Sequence, residues 1–197
     1  MWCSCVLLAA ALIVGCQDTS ARSAGDEVTA AAPAIEVHAA DGSVTARVVA
    51  GHPCRATVDG VDVQIGGRPL VMMVGATRWT GSDDTNGTTL FRGDTQVARI
   101  YPADSSPDQV AVFDAQGIAL VRVARQGDTA SVASGAGAVL RTVHQAPNGF
   151  RVGDMTVTGT NDLLLAAVLS APEVGSEVRA LAACHRLLPA EEVKAAF

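Results

Sequence analysis

Aromatic side chains make up only 4% of the 197 residues, and lysine occurs once, at Lys194. Nucleic-acid binding needs clustered basic groups for phosphates and aromatic faces for bases. With 14 Lys and Arg against 20 Asp and Glu, a net charge of −6, the chain is supplied with neither, and no nucleic-acid partner is expected. Long hydrophobic runs are also missing. The longest unbroken one is Val6 to Gly15, about half of the ~20 residues that a bilayer-spanning helix requires. There is no G-x-S-x-G elbow, no phosphate-cradling P-loop and no H-E-x-x-H helix, so the common hydrolase, nucleotide and metalloprotease signatures are absent. Ser134-Gly135-Ala136-Gly137 is glycine-rich but lies between two strand-like runs rather than ahead of a helix, which argues against a nucleotide loop. No cofactor site is read from the sequence.

What is present begins at the amino terminus. Ten apolar residues, the last of them the small Gly15, followed by a cysteine have the dimensions of a secretory signal, which is removed and takes no part in the fold. The segment ends Ile13-Val14-Gly15-Cys16, which resembles the lipobox of bacterial lipoproteins. The resemblance implies diacylglycerol on the Cys16 thiol, cleavage before Cys16, and acylation of the new amine. Residues 1–15 are then the signal peptide and the lipid bilayer is the partner of acylated Cys16. Two or three acyl chains, at about 0.8 kcal/mol per buried methylene, anchor stably without a membrane helix. Gln17, rather than Asp, follows the cysteine, which under the enteric sorting pattern implies the outer membrane. Residues Met1 to Cys5 carry no Lys or Arg, a departure from the usual signal.

Residues 16–33, up to Pro33, are small and polar without any period and read as a tether. Residues 34–197 form one domain of ordinary size. Up to about Thr160 it consists of short runs of alternating polarity separated by turn signals: Ile35 to Ala39, Val44 to Val49, Val110 to Phe113, Ile118 to Val123, Ser131 to Ala133, Val139 to Val143, Phe150 to Val152 and Met155 to Thr158. Asn86-Gly87 suits a type I′ hairpin turn. Val112–Val123 and Val132–Val143 align without gaps at a period of 20, each a strand, a glycine-bearing turn and a return strand. Such hairpins stack into an antiparallel meander, which closes into a barrel or folds into a sandwich.

Beyond Thr160 the pattern becomes helical. Asp162 is placed to cap Leu163 to Leu169, which is apolar on every side and so must be buried all round. Ser170-Ala171-Pro172-Glu173 has capping-box spacing for a second helix over Val174, Val178, Leu181 and Ala182. The C-terminal helical region is expected over about 162–197, packed in or on the sheet. D-x-x-G turns before aliphatic-Arg-aliphatic strands (Asp114 to Val123), followed by Asp162-Leu163-Leu164-Leu165-Ala166, resemble the tubby-like superfamily, which includes LURP-one proteins and phospholipid scramblases. The resemblance implies a twelve-stranded barrel around a hydrophobic C-terminal helix. The basic phosphoinositide cluster of that family has no counterpart here.

Cys54 and Cys184 are the two cysteines of the mature domain. In an oxidising envelope an even pair reads as a disulfide. The alternative is a metal or redox site built from His52, Cys54, Cys184 and His185, four soft or borderline ligands in two clusters. Ser82 to Gly87 resembles a calcium loop, but the EF-hand places for Asp and Glu hold Ser82 and Gly93, and an exposed hairpin turn is the reading. His38 and His144 have no catalytic partner at a recognisable spacing. Trp79, flanked by Arg78 and Thr80, reads as core or as part of a binding surface. The function expected is a non-catalytic structural or binding role in the envelope, with another envelope protein as a further partner. The metal or redox protein is the alternative.

Overall fold

A computed structural model describes residues 34–67, 69–84, 87–102 and 108–187. Fourteen strands run in sequence order: β1 (Ala34–His38), β2 (Val44–Val49), β3 (Cys54–Val58), β4 (Val61–Gly66), β5 (Val71–Val74), β6 (Thr77–Asp84), β7 (Gly87–Arg92), β8 (Thr95–Pro102), β9 (Gln109–Asp114), β10 (Ala119–Gln126), β11 (Thr129–Ser134), β12 (Val139–Ala146), β13 (Gly149–Val152) and β14 (Met155–Thr158). Each pairs antiparallel with its neighbours in the chain, and β1 pairs with β14 through Val37 opposite Val157, so the meander closes into a barrel. Closure leaves no strand edge unpaired. Two helices follow, α1 (Leu163–Leu169) and α2 (Ser176–Leu187).

Alternation decides which way each side chain points. Val37, Val48, Val58, Val63, Met72, Leu90, Val112, Val121, Val132, Val143, Val152 and Val157 are buried on the inner face. Arg47, Arg55, Asp62, Arg122 and Arg151 alternate with them and are exposed. A barrel that spans a bilayer is built the other way round, with an apolar band outward; arginine there costs about 2–4 kcal/mol at mid-membrane. This wall is made for water. Fourteen strands enclose more space than wall side chains can fill, and the helices occupy it. α1 packs against β9 to β13, α2 against β2 to β4, and the helices pack on each other. Every residue of α1 is buried, as its uniformly apolar sequence requires.

The β1–β2, β9–β10 and β11–β12 connections share one turn. In each, the first residue donates its N–H to the carbonyl four positions on and accepts from the glycine three positions on: Ala39–Ser43, Asp114–Ile118 and Ser134–Ala138. Gly117 and Gly137 stand at φ 79° and 89°, where a Cβ is strained. A register shift lies within the strand pair joined by each turn. The 20-residue repeat is therefore two copies of one hairpin.

Three expectations need correction. The barrel has fourteen strands around two helices, where the tubby-like resemblance implies twelve around one. Ser170 to Glu173 is no capping box: Ser170 is the C-cap of α1, its hydroxyl donating to the Ala166 and Ala167 carbonyls, and α2 starts only at Ser176. Gly87 is not a turn residue but the first paired residue of β7, opposite Asp84; Asn86 lies outside the described residues. So do the signal peptide, Cys16, the tether and the proposed final turn over Glu191 to Phe197.

Candidate functional site

Because the meander is strictly consecutive, its connections segregate. The chain enters β1 at one end of the barrel, here the proximal end, where the β2–β3, β12–β13 and β14–α1 connections also lie. The β1–β2, β3–β4, β9–β10, β11–β12 and β13–β14 connections lie at the opposite, distal end. α1 runs from proximal to distal and α2 returns, so each end holds its own fastening of the helices.

At the proximal end Cys54, the first residue of β3, and Cys184, in the third turn of α2, are joined by a disulfide with Cα atoms 5.9 Å apart. Both residues are completely buried. The separation falls within the range that a disulfide needs. A site drawing on both thiolates requires that bond to be open. Among the described residues no group of three or more His, Cys, Asp or Glu is arranged to hold a metal. His52 is exposed and His185 half-buried. Beside them, Asp162 caps α1 by accepting from the Leu164 and Leu165 N–H groups, and its second oxygen accepts from Arg186 Nε at 2.7 Å.

At the distal end Arg179 of α2 is 4% exposed. It donates to the Leu169 carbonyl that ends α1, and to the carboxylate of Asp59 in the β3–β4 turn. Ser176 donates to the same carboxylate. Asp59 has φ 48° and Gly60 φ 79°, the positive-φ pair of a two-residue hairpin, and this conformation aims the carboxylate at α2. Arg141 on β12 makes a two-point ion pair with Glu173, between the helices, at 2.8 and 2.6 Å. The Arg141 guanidinium holds the Glu173 carboxyl below the usual glutamate range. A carboxyl whose pKa is depressed by folding adds stability above its unfolded pKa and loses it as pH falls through the folded value. Glu173→Gln is therefore expected to flatten the decline in stability below about pH 5, as measured by urea unfolding at stepped pH.

The other sequence candidates have structural places. Trp79 is core, 6% exposed, with Arg92 over its ring at 5.9 Å and an indole N–H that has no partner among the described residues. His38 lies on the wall 3.4 Å from Glu36, and His144 is exposed on β12 opposite Arg151. Asp83 accepts from Thr88 and Asp84 from Arg99, which engages the acidic residues of the calcium-like stretch across strands. A polar cleft of about 300 Å³ at the proximal end is lined by Gln145, Asn148, Thr160 and Asn161. An apolar crevice between the helices and β7 to β9, lined by Ile100, Val110, Val168 and His185, measures about 20 Å³, room for a single water.

Sequence reading missed the fastenings Asp59–Arg179 and Arg141–Glu173, whose partners lie 120 and 32 positions apart; Asp59-Gly60 was the available signal for the turn but not for its target. It also missed the distal apolar rim. Ile118 and Val139 are each 64% exposed, although both open strand-like runs. Neither family models, nor curated proteins, nor solved structures offer a match to this chain.

Proposed function

We propose that this is an outer-membrane lipoprotein, held to the bilayer by acyl chains on Cys16, whose barrel has a non-catalytic structural or binding role in the envelope. The observation that carries the reading is the buried Cys54–Cys184 bond. Such bonds persist in oxidising compartments, which supports export and hence the signal reading of residues 1–15. The architecture agrees. A water-facing wall, a lumen occupied by the chain's own helices and a helix pair fastened at both ends make a rigid body, suited to presenting a surface rather than to turning over a substrate.

The test is the mass of the mature amino terminus from a membrane fraction. The expected species begins at Cys16 and carries diacylglycerol, and Cys16→Ser moves the protein out of the membrane fraction. An intact, unmodified chain recovered from the cytosol overturns the proposal.

A further inference from the structure

Among the described residues, the large apolar side chains most open to water are Val44, Ile118, Val139 and Leu140, at 50%, 64%, 64% and 41% exposure. All four lie at the distal end. Three of them belong to two neighbouring hairpins, whose tips are joined by a hydrogen bond from the Gly135 N–H to the Leu120 carbonyl. From Ala115 to Val121 and from Thr129 to Leu140 there is no charged residue. Of the charges nearest the tips, Arg122 is exposed on the wall, and Asp114 and Arg141 are engaged internally. Asp114 accepts from the Gln116 and Ile118 N–H groups at 2.9 and 2.8 Å, and Arg141 is turned to Glu173.

We propose that these two tips insert into the apolar margin of a lipid bilayer, as a second membrane contact of the anchored protein. Three observations favour lipid over protein. A backbone that enters hydrocarbon must satisfy its own polar groups, and here Gly117 donates to the Asp114 carbonyl, Gly137 to the Ser134 carbonyl and Ala138 to the Ser134 hydroxyl. Apart from Gln116 and Ser134 the tips, Ala115 to Val121 and Ser134 to Leu140, are alanine, glycine and aliphatic, without the tryptophan, tyrosine and arginine that anchor protein interfaces. Three protruding side chains also fall far short of the 1,200–2,000 Å² that stable protein interfaces bury.

Reach is sufficient. The proposal rests on anchorage at Cys16, and the seventeen residues from Gln17 to Pro33 span up to about 60 Å when extended. The longest strands have eight residues, about 27 Å along the strand. The tether therefore exceeds the barrel's height, and the distal end can meet the leaflet that holds the acyl chains.

The experiment uses the mature chain from Cys16 with Cys16→Ser, which carries no lipid, mixed with vesicles of phosphatidylcholine or of phosphatidylethanolamine and phosphatidylglycerol. The expected result is co-sedimentation with both, not weakened by added salt because no charge attraction is used, and weakened about tenfold or more in Ile118→Ser/Val139→Ser/Leu140→Ser. These positions are exposed, so the variant should melt as the parent does. In a second measurement, Val139→Trp should show a blue-shifted emission quenched by brominated lipid. Three outcomes overturn the proposal: a chain that stays in the supernatant with both vesicles, a triple variant that binds unchanged, or self-association abolished by the triple variant without vesicle binding. The anchor reading fails separately, by the mass of the amino terminus, since this chain binds without acyl groups.

Discussion

Replacing Cys54 and Cys184 with alanine is expected to lower the free energy of unfolding by about 5 kcal/mol. The bond closes a loop of 130 residues, and the chain-entropy relation for a loop of that size gives about 5 kcal/mol at 25 °C. Single domains have about 5–15 kcal/mol in all, so a third or more of the stability is at stake. The location adds to the effect. The bond ties α2 to the wall at its proximal end, and α2 is half of what fills the lumen. Urea unfolding of the oxidised protein and of Cys54→Ala/Cys184→Ala gives the comparison, and equal midpoints would refute the prediction. A companion result concerns access. Both residues are 0% exposed, so reductant should leave the folded protein oxidised and open the bond only once denaturant has loosened the barrel.

Asp59→Gly is expected to cost about 3 kcal/mol, far more than a surface ion pair is worth. Arg179 is buried, and removing its carboxylate partner leaves a charge in the core without compensation. The Asp59 side chain is itself half open to solvent, which places the value at the lower end of the range for buried pairs. Glycine keeps the turn, because φ 48° costs it nothing, so the loss is assignable to the carboxylate. Arg179→Met should be milder, about 1–2 kcal/mol, because the charge leaves together with its desolvation cost; the buried Leu169 carbonyl loses a donor, while Asp59 is half open to water and keeps Ser176. The double variant should then resemble Arg179→Met alone. Additive losses would show that the two residues act independently.

The two ends are held by different physics. The proximal fastening is covalent with an ion pair beside it, and the distal one is electrostatic. Acid loosens the distal end through Glu173, because protonation removes the charge that Arg141 faces, while the disulfide of the proximal end does not respond to pH in that range.

How far the sequence could be read follows from the distance over which each signal acts. The hairpin around Asp114-Ala115-Gln116-Gly117 was legible because turn chemistry, alternation and glycine conformation all act within ten residues. α1 was legible because seven consecutive apolar residues after a capping aspartate admit few alternatives. The start of α2 was not. Ser170 and Glu173 satisfy the local capping pattern, yet Ser170 closes the previous helix and Glu173 is drawn to Arg141 across the barrel. The same short motif serves two purposes, and only the wall against which it packs selects one.

The sequence by itself determined the alternation of strands, the polarity of each face and the burial of Leu163 to Leu169. All of these are periodic or contiguous, and neighbouring residues suffice to express them. Tertiary structure alone decided that the meander closes through β1 and β14, that two helices rather than one fill the lumen, that Asp59 meets Arg179, and that Ile118, Val139 and Leu140 share one rim. Each of these unites residues far apart in the chain, and their proximity is set by strand number, register and direction, quantities that no local pattern encodes.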